Sequence, residues 1–377
     1  MIPSQRHLFD IPETIAYFNC GYMGPLTTAA RAAGHMGIDR KSLPWTVAPV
    51  DFFIESEKAR SLFARLIGTD ADNIAITPSA SYGTAIAARN LPLKAGDKIL
   101  LLDEQFPSNV YCWQERAQET GAEITTVPTP TDFDWTSAVL AAIDANVAIA
   151  ALPHNHWTDG AILDLVAIGE KLRANGAKLV LDVTQSIGAM PLDLERVKPD
   201  FLVTACYKWL LGPYSLGFMY VAPEFHEGEP LEYNWLNRGG SENFAGLVDY
   251  RSDYQAGARR YDMGERANFA LMPVAVAALE QLLEWGIANI QETLTHKTRD
   301  ITARCERLGL TSLPEHLRAG HFLGLRRAGG LPKNILETLL KENIYVSVRG
   351  SSMRITPHLF NNEADSDRLL TALEKIL

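Results

Sequence analysis

Several features are missing from this 377-residue chain, and each absence removes a class of function. No apolar run approaches the ~20 residues that a membrane-spanning helix needs. The longest, around Val139 to Leu152, is broken by Asp144 and Asn146. Basic residues are in deficit: 35 Lys and Arg stand against 45 Asp and Glu, for a net charge of −10. That balance argues against a nucleic-acid partner or an anionic membrane, both of which call for a basic surface. The four cysteines (Cys20, Cys112, Cys206, Cys305) show no C-x-x-C or framework spacing. No disulfide scaffold is expected, and a reducing cytoplasm is the expected compartment. Met1 to His7 lacks the apolar core of a signal peptide. There is no internal repeat, low-complexity tract or Gly/Ser linker. No G-x-G-x-x-G follows a strand-like run, which counts against a dinucleotide-binding dehydrogenase.

What is present is an alternation of helical and strand-like runs from about residue 50 to 225, the pattern of an α/β domain with a mostly parallel sheet. Strands are expected at 73–77, 98–102, 123–127, 147–152, 178–183, 201–206 and 215–221. Helices are expected at 51–66, 82–90, 110–120, 136–145 and 163–175. Residues 225–268 read as loop-rich. Pro273 opens a long helix, 274–285, and the remainder reads as a smaller α+β domain. Ser79 to Ser81, Phe106, Asn155, Asp182 and Lys208 all fall just after expected strands. In an open parallel sheet those ends line one crevice, so one pocket could collect them all.

Lys208 stands out. It follows the apolar run Phe201 to Cys206 and lies in Tyr207-Lys208-Trp209-Leu210-Leu211-Gly212-Pro213. Burial among such neighbours disfavours the ammonium form and makes an amine nucleophile. Asp182 ends the preceding strand, in Asp182-Val183-Thr184-Gln185. A lysine for an aldehyde and a carboxylate for a pyridine nitrogen suit one cofactor, pyridoxal 5′-phosphate (PLP), which works as an electron sink. Thr77-Pro78-Ser79-Ala80-Ser81-Tyr82-Gly83 opens a helix whose N-terminus suits a phosphate. His154 and His156 flank Asn155 and suggest a metal, but no third and fourth ligand follows at ordinary spacing, so no metal is expected.

The Asp-x-x-Gln, the Tyr-Lys about 20 residues later and the Gly-Pro beyond it resemble the class V aminotransferase family of fold-type I PLP enzymes. That family includes kynureninase, isopenicillin N epimerase, cysteine desulfurases and selenocysteine lyases. The resemblance covers Tyr17 to about Leu369. It implies the PLP-dependent transferase fold, with a large PLP-binding α/β domain at 18–268 and a small α+β domain formed by 1–17 with 269–377. It implies Lys208 and Asp182 as catalytic residues, with Lys208 carrying the cofactor as an aldimine and a quinonoid following. Ala80 and Ser81 would hold the phosphate. Phe106, within the kynureninase-like Gln105-Phe106-Pro107-Ser108-Asn109, would stack on the ring. Asn155 and Gln185 would hold the phenolic oxygen, and Tyr207 would contact the phosphate. Trp235 resembles a kynureninase tryptophan that reaches the neighbouring subunit's cofactor. A homodimer with active sites at the subunit interface is therefore implied. Arg354 would clamp the substrate carboxylate. For Arg349, apart from the resemblance, an ordinary surface arginine is the reasonable reading. Asn19, in Asn19-Cys20-Gly21-Tyr22-Met23-Gly24-Pro25, matches the loop over the substrate mouth. In Arg260 to Asn268, which resembles a cross-subunit phosphate loop, Glu265 replaces the usual threonine, and backbone groups or Asn268 are the substitutes.

The kynureninase-like residues favour a lyase or hydrolase acting on an α-amino acid. Gln185 stands where kynureninases have histidine, which points away from strict kynureninase activity and leaves aminotransferase chemistry open. The short step from Arg349 to Arg354 leaves no room for the desulfurases' cysteine loop, so persulfide chemistry is not expected. An isopenicillin N epimerase-like racemase or epimerase is the alternative reading. A non-catalytic PLP-scaffold protein is the other, although such a protein would be expected to lose Lys208 or Asp182.

Overall fold

The computed structural model describes all 377 residues. Seven short apolar runs form one sheet: β1 (Ile74–Thr77), β2 (Lys98–Leu102), β3 (Glu123–Val127), β4 (Val147–Pro153), β5 (Lys178–Asp182), β6 (Phe201–Ala205) and β7 (Gly217–Val221). Their order across the sheet is β1-β7-β6-β5-β4-β2-β3. All pairings are parallel except those of β7, which runs antiparallel to both β1 and β6. The reversal follows from chain length. Only the turn at 206–216 joins β6 to β7, and a parallel neighbour needs a crossover of a dozen or more residues, usually through a helix. Every residue of β1, β6 and β7 is buried. Strands covered on both faces read as unbroken apolar runs rather than alternating ones.

Helices follow the expected α/β pattern, with caps that set their starts. The helix Ala80–Asn90 is capped by Ser79, whose side chain accepts from Tyr82 N–H. Asp134 and Asp164 cap Trp135–Ala142 and Leu165–Ala174 in the same way. One helix was not expected, Thr28–Ser42. It packs on Leu271–Trp285 through small residues. A side chain at Gly37 would overlap the Phe269 carbonyl, and one at Gly34 would press on Val274 at 2.7 Å.

The C-terminal part carries a second, antiparallel sheet. Its strands are β8 (Leu310–Thr311), β9 (Leu323–Arg327), β10 (Ser347–Arg349) and β11 (Ser352–Ile355), in the order β10-β11-β9-β8. Arg349 pairs with Ser352, so β10 and β11 are joined by Gly350 and Ser351 alone. Gly350 has φ +53°, a left-handed conformation suited to glycine in such a hairpin. Ala16–Tyr17 pairs in parallel with Ile344–Tyr345. This places Phe18 in the same apolar cluster as Leu323, Ile355 and Leu369. No single helix is long and apolar enough to cross a membrane.

Candidate active site

The carboxyl ends of β1, β2, β4, β5 and β6 surround a cavity of ≈ 290 Å³. Eight of the sequence candidates line it: Ala80, Ser81, Phe106, Asn155, Asp182, Gln185, Tyr207 and Lys208. Parallel packing is the reason. Each side chain stands at or just past the same end of its strand, and the strands lie side by side.

Lys208 is only 6% exposed. Its Nζ lies 5.3 Å from the Phe106 ring centroid and 5.5 Å from that of Tyr207. Burial pushes its ammonium down to about 8, against a partial opposing pull from Asp182; Arg354 and Arg349 push it further down. Asp182 is the last residue of β5, and its carboxylate accepts from Thr184 N–H at 3.0 Å. Burial likewise raises the Tyr207 phenol, to about 12, with Tyr214 and Asp182 adding to the shift.

The remaining walls are polar and incompletely satisfied. Asn155 is 1% exposed, yet neither its Oδ1 nor its Nδ2 has a partner. A buried amide with both atoms unpaired is costly unless something else fills the site. Gln185 donates to the Gly21 carbonyl at 3.0 Å and accepts from Trp209 Nε1 at 3.1 Å, which leaves one of its N–H groups free. Ser79 and Ser81 hydroxyls lie 2.9 Å apart at the helix N-terminus. A cluster of hydroxyl and backbone donors at a helix start, an unpaired amide, a carboxylate and a buried amine form the donor set that PLP takes. The residues present fit the cofactor.

Arg354 and Asn19 lie outside this lining. Arg354, on β11, is 2% exposed and donates to Ser347 Oγ at 2.8 Å and to the Trp157 carbonyl at 2.9 Å. Nη2 has no partner. Burial, and then Arg349, lower its guanidinium to about 10. Asn19 is buried beside Thr356, with Oδ1 unpartnered. Trp235 is not at this cavity. It is 39% exposed and packs on Phe52 and Phe244, with ring centroids 6.0 Å and 5.2 Å away.

One expectation is revised, and two further residues are placed. Arg349 is not a free surface side chain: it is half-buried, with Cζ 5.9 Å from the Trp157 ring centroid. The Asn268 side-chain oxygen accepts from Ala270 and Leu271 N–H at the next helix start, and its Nδ2 is left as a donor. His156 is held by Thr158 Oγ1 and the Asp103 carbonyl and stacks on Trp135, so its ring is placed by packing.

Trp157 and Tyr214 line the cavity although the sequence did not single them out. Tyr214 packs on Tyr207 at 4.7 Å between centroids, in a turn where Leu211 and Ser215 both have positive φ. Trp157 meets Phe106 edge-on at 5.4 Å. An aromatic residue in the loop after β4 was the available signal for Trp157, and the tyrosine directly after Gly212-Pro213 was the signal for Tyr214.

An amine and a carboxylate at adjacent strand ends, facing a helix N-terminus across one cavity, define an enzyme of the PLP-dependent kind. Comparison with known proteins gives the family. The aminotransferase class-V family model matches residues 49–363, and the chain belongs to that family. It is a PLP-dependent enzyme with the fold-type I architecture. The isopenicillin N epimerase of Streptomyces clavuligerus is 26% identical, covering 98% of this chain and 96% of the relative. The kynureninase of Geobacillus thermodenitrificans is 25% identical, covering 76% and 69%. A solved structure of C-DES with glycine covalently linked to the PLP cofactor superposes with a TM-score of 0.88 at 20% identity, covering 99% of this chain and 100% of that one.

Proposed function

We propose that this enzyme acts on an α-amino acid by labilising a bond at Cα, in lyase or aminotransferase chemistry, with Lys208 as the amine that carries the cofactor aldehyde. The observation that supports this most is the buried Lys208 amine, lowered to about 8, in one cavity with Asp182 and the unpartnered Asn155. Bound PLP supplies the electron sink. The protein's own residues supply the rest. Asp182 would hold the ring nitrogen's proton, and Asn155 and Gln185 would donate to the phenolic oxygen. Ala80 and Ser81 would hold the phosphate at the helix start, with the Tyr207 phenol as a further donor. Phe106 would cover the ring face, and Lys208 Nζ, once released, would take and return the Cα proton. Arg354 would fix the α-carboxylate through its free Nη2, with Asn19 at the mouth.

The same reading divides the chain into a large domain, 18–268, and a small one, 1–17 with 269–377. It assembles the chain as a cytoplasmic homodimer in which Trp235 reaches the partner's site. Its exposed packing against Phe52 and Phe244 is compatible with that reach.

Epimerase chemistry is the second reading, favoured by the alignment with isopenicillin N epimerase along nearly the whole chain. One experiment separates the outcomes. The purified holoenzyme is screened against amino acids in D₂O, with and without an added keto acid, while ammonia, keto acid, Cα deuterium and enantiomer are recorded. Keto acid that depends on the added acceptor marks an aminotransferase. Acceptor-independent release of product marks a lyase, and exchange with loss of chirality alone marks an epimerase. Absence of Cα exchange with every amino acid, in a protein that binds PLP, overturns the proposal.

A further inference from the structure

Arg354 is not the only cation beside the cavity without a counter-charge. The hairpin β10–β11 places Arg349 and Arg354 so that both guanidinium carbons lie 5.9 Å from the centroid of one ring, Trp157. That ring is a wall of the cavity. Arg349 uses Nη1 on the Val348 carbonyl at 2.8 Å, and Arg354 uses Nε and Nη1 on Ser347 and Trp157. Neither meets a carboxylate. The acid nearest this wall in sequence, Asp159, is taken by Arg326 at 2.6 Å. Both arginines act electrostatically on Lys208, where the single opposing carboxylate is Asp182.

A single α-carboxylate can engage one planar guanidinium fork fully. It leaves the half-exposed Arg349 beside the same aromatic wall with no anion of its own. We infer that the substrate is an amino acid carrying a second anionic group on its side chain, a carboxylate in the simplest case, and that Arg349 is the specificity-determining residue that receives it. The inference rests on the amino-acid reading of the site. Trp157 serves as the shared platform: its face attracts both guanidiniums and holds them apart at fixed positions. The two-residue hairpin sets the spacing between them, so the substrate's two anions must match it.

The test compares dicarboxylic amino acids with their neutral isosteres on the holoenzyme. L-glutamate and L-aspartate are set against L-glutamine, L-asparagine and L-norvaline, with Cα deuterium exchange as the kinetic readout. Glutarate and butyrate binding, followed calorimetrically, is the readout that does not depend on turnover. In the wild type a dicarboxylic amino acid should exceed its amide in kcat/KM by about 10²-fold, the scale of a charge-assisted hydrogen-bonded pair. Glutarate should bind at least tenfold more tightly than butyrate. Arg349→Gln should reduce the first ratio to within a few-fold, by raising KM for the dicarboxylic substrate far more than for the neutral ones; the change it makes at Lys208 falls on both alike and cancels in the ratio. Arg349→Lys should restore part of it. Arg349 is half-exposed, so the variant should fold, which circular dichroism checks. Neutral amino acids exchanging as fast as dicarboxylic ones in the wild type, or Arg349→Gln slowing both alike, overturns the inference and leaves the amino-acid reading standing. No exchange with any amino acid, together with no preference for glutarate, overturns both.

Discussion

Two groups of arginine in this molecule are built on opposite plans. In the first, Arg60 and Arg266, both fully buried, converge on the equally buried Asp262 at 2.6 Å each. Glu57 adds a second acid, shared with Arg259, and several arginines hold it ionised, down to about 2. Asp262 also accepts from Ile76 N–H, which ties the cluster to β1. In the second group, Arg354 and Arg349 lie near Lys208 with no acid of their own. The first group is balanced and knits the fold. The second carries a deficit of negative charge that the folded chain does not supply. Burial alone therefore does not reveal a site; at this cavity the signal is an arginine pair without an acid beside a buried amine.

The largest effect is expected from removing the amine itself. Lys208→Ala should lower turnover by about 10⁴-fold, the upper range for a positioned proton-transfer group. It should leave a folded protein, checked by circular dichroism alongside steady-state rates. Borohydride labelling should be lost in the same variant, and label retained on another lysine would displace Lys208 from its role.

Asp262→Ala tests the balanced group. It leaves Arg60 and Arg266 buried without their acid, and breaking a buried pair costs about 3–5 kcal/mol. A fall in unfolding free energy of that size is expected in chemical denaturation.

Arg354→Ala tests the other group and should act mainly on catalysis. kcat/KM should fall by about 10²-fold, roughly 3 kcal/mol, while unfolding free energy falls less than in Asp262→Ala, because lost packing is partly offset by removal of a charge that has no acid beside it. Arg354→Lys should also be impaired, since the forked geometry is lost. A destabilisation as large as that of Asp262→Ala would erase the distinction between the two groups.

A smaller effect follows from pH. Burial depresses the Lys208 ammonium to about 8, so the neutral amine grows with rising pH. It is about a tenth of the population one unit below that value and about nine tenths one unit above it. Capture of PLP by cofactor-free protein, followed by absorbance, should rise with a midpoint near pH 8 rather than near 10.5. Arg354 helps lower this pKa, so the Arg354→Ala midpoint should move upward. A midpoint unchanged by that substitution would mean the two charges do not communicate.

Much of the large sheet was legible because its strands are short apolar runs between polar turns, and the expected bounds fall within two residues of the observed ones. Six cavity residues, Ala80, Ser81, Phe106, Asn155, Asp182 and Lys208, were legible because strand ends in a parallel sheet converge; Gln185 and Tyr207 came only through the family resemblance. Thr28–Ser42 was not legible, because it packs through Ala30, Gly34 and Gly37 and shows no stripe of large apolar side chains. The second long helix, Ile287–Glu306, lay unresolved within the expected α+β remainder. Arg349 was misjudged because its setting depends on hairpin register and on a tryptophan nearly 200 positions away in sequence. Neither leaves a local signature.

The parallel pairing of Ala16–Tyr17 with Ile344–Tyr345 has a consequence for how the polypeptide matures during translation. The segment bearing Asn19 and Gly21 is made early, but its partners, Tyr345 and Thr356, emerge more than 320 residues later. Every strand of the seven-stranded sheet is synthesised in the interval. The cavity walls can thus be complete on the ribosome while the early segment still waits for its neighbours. Closing so long a loop is entropically slow but only modestly more costly than closing a short one. The segment bearing Asn19 and Gly21 can dock only once Tyr345 and Thr356 have been made, and a nascent chain stalled before Tyr345 would carry the strand-end cavity without it.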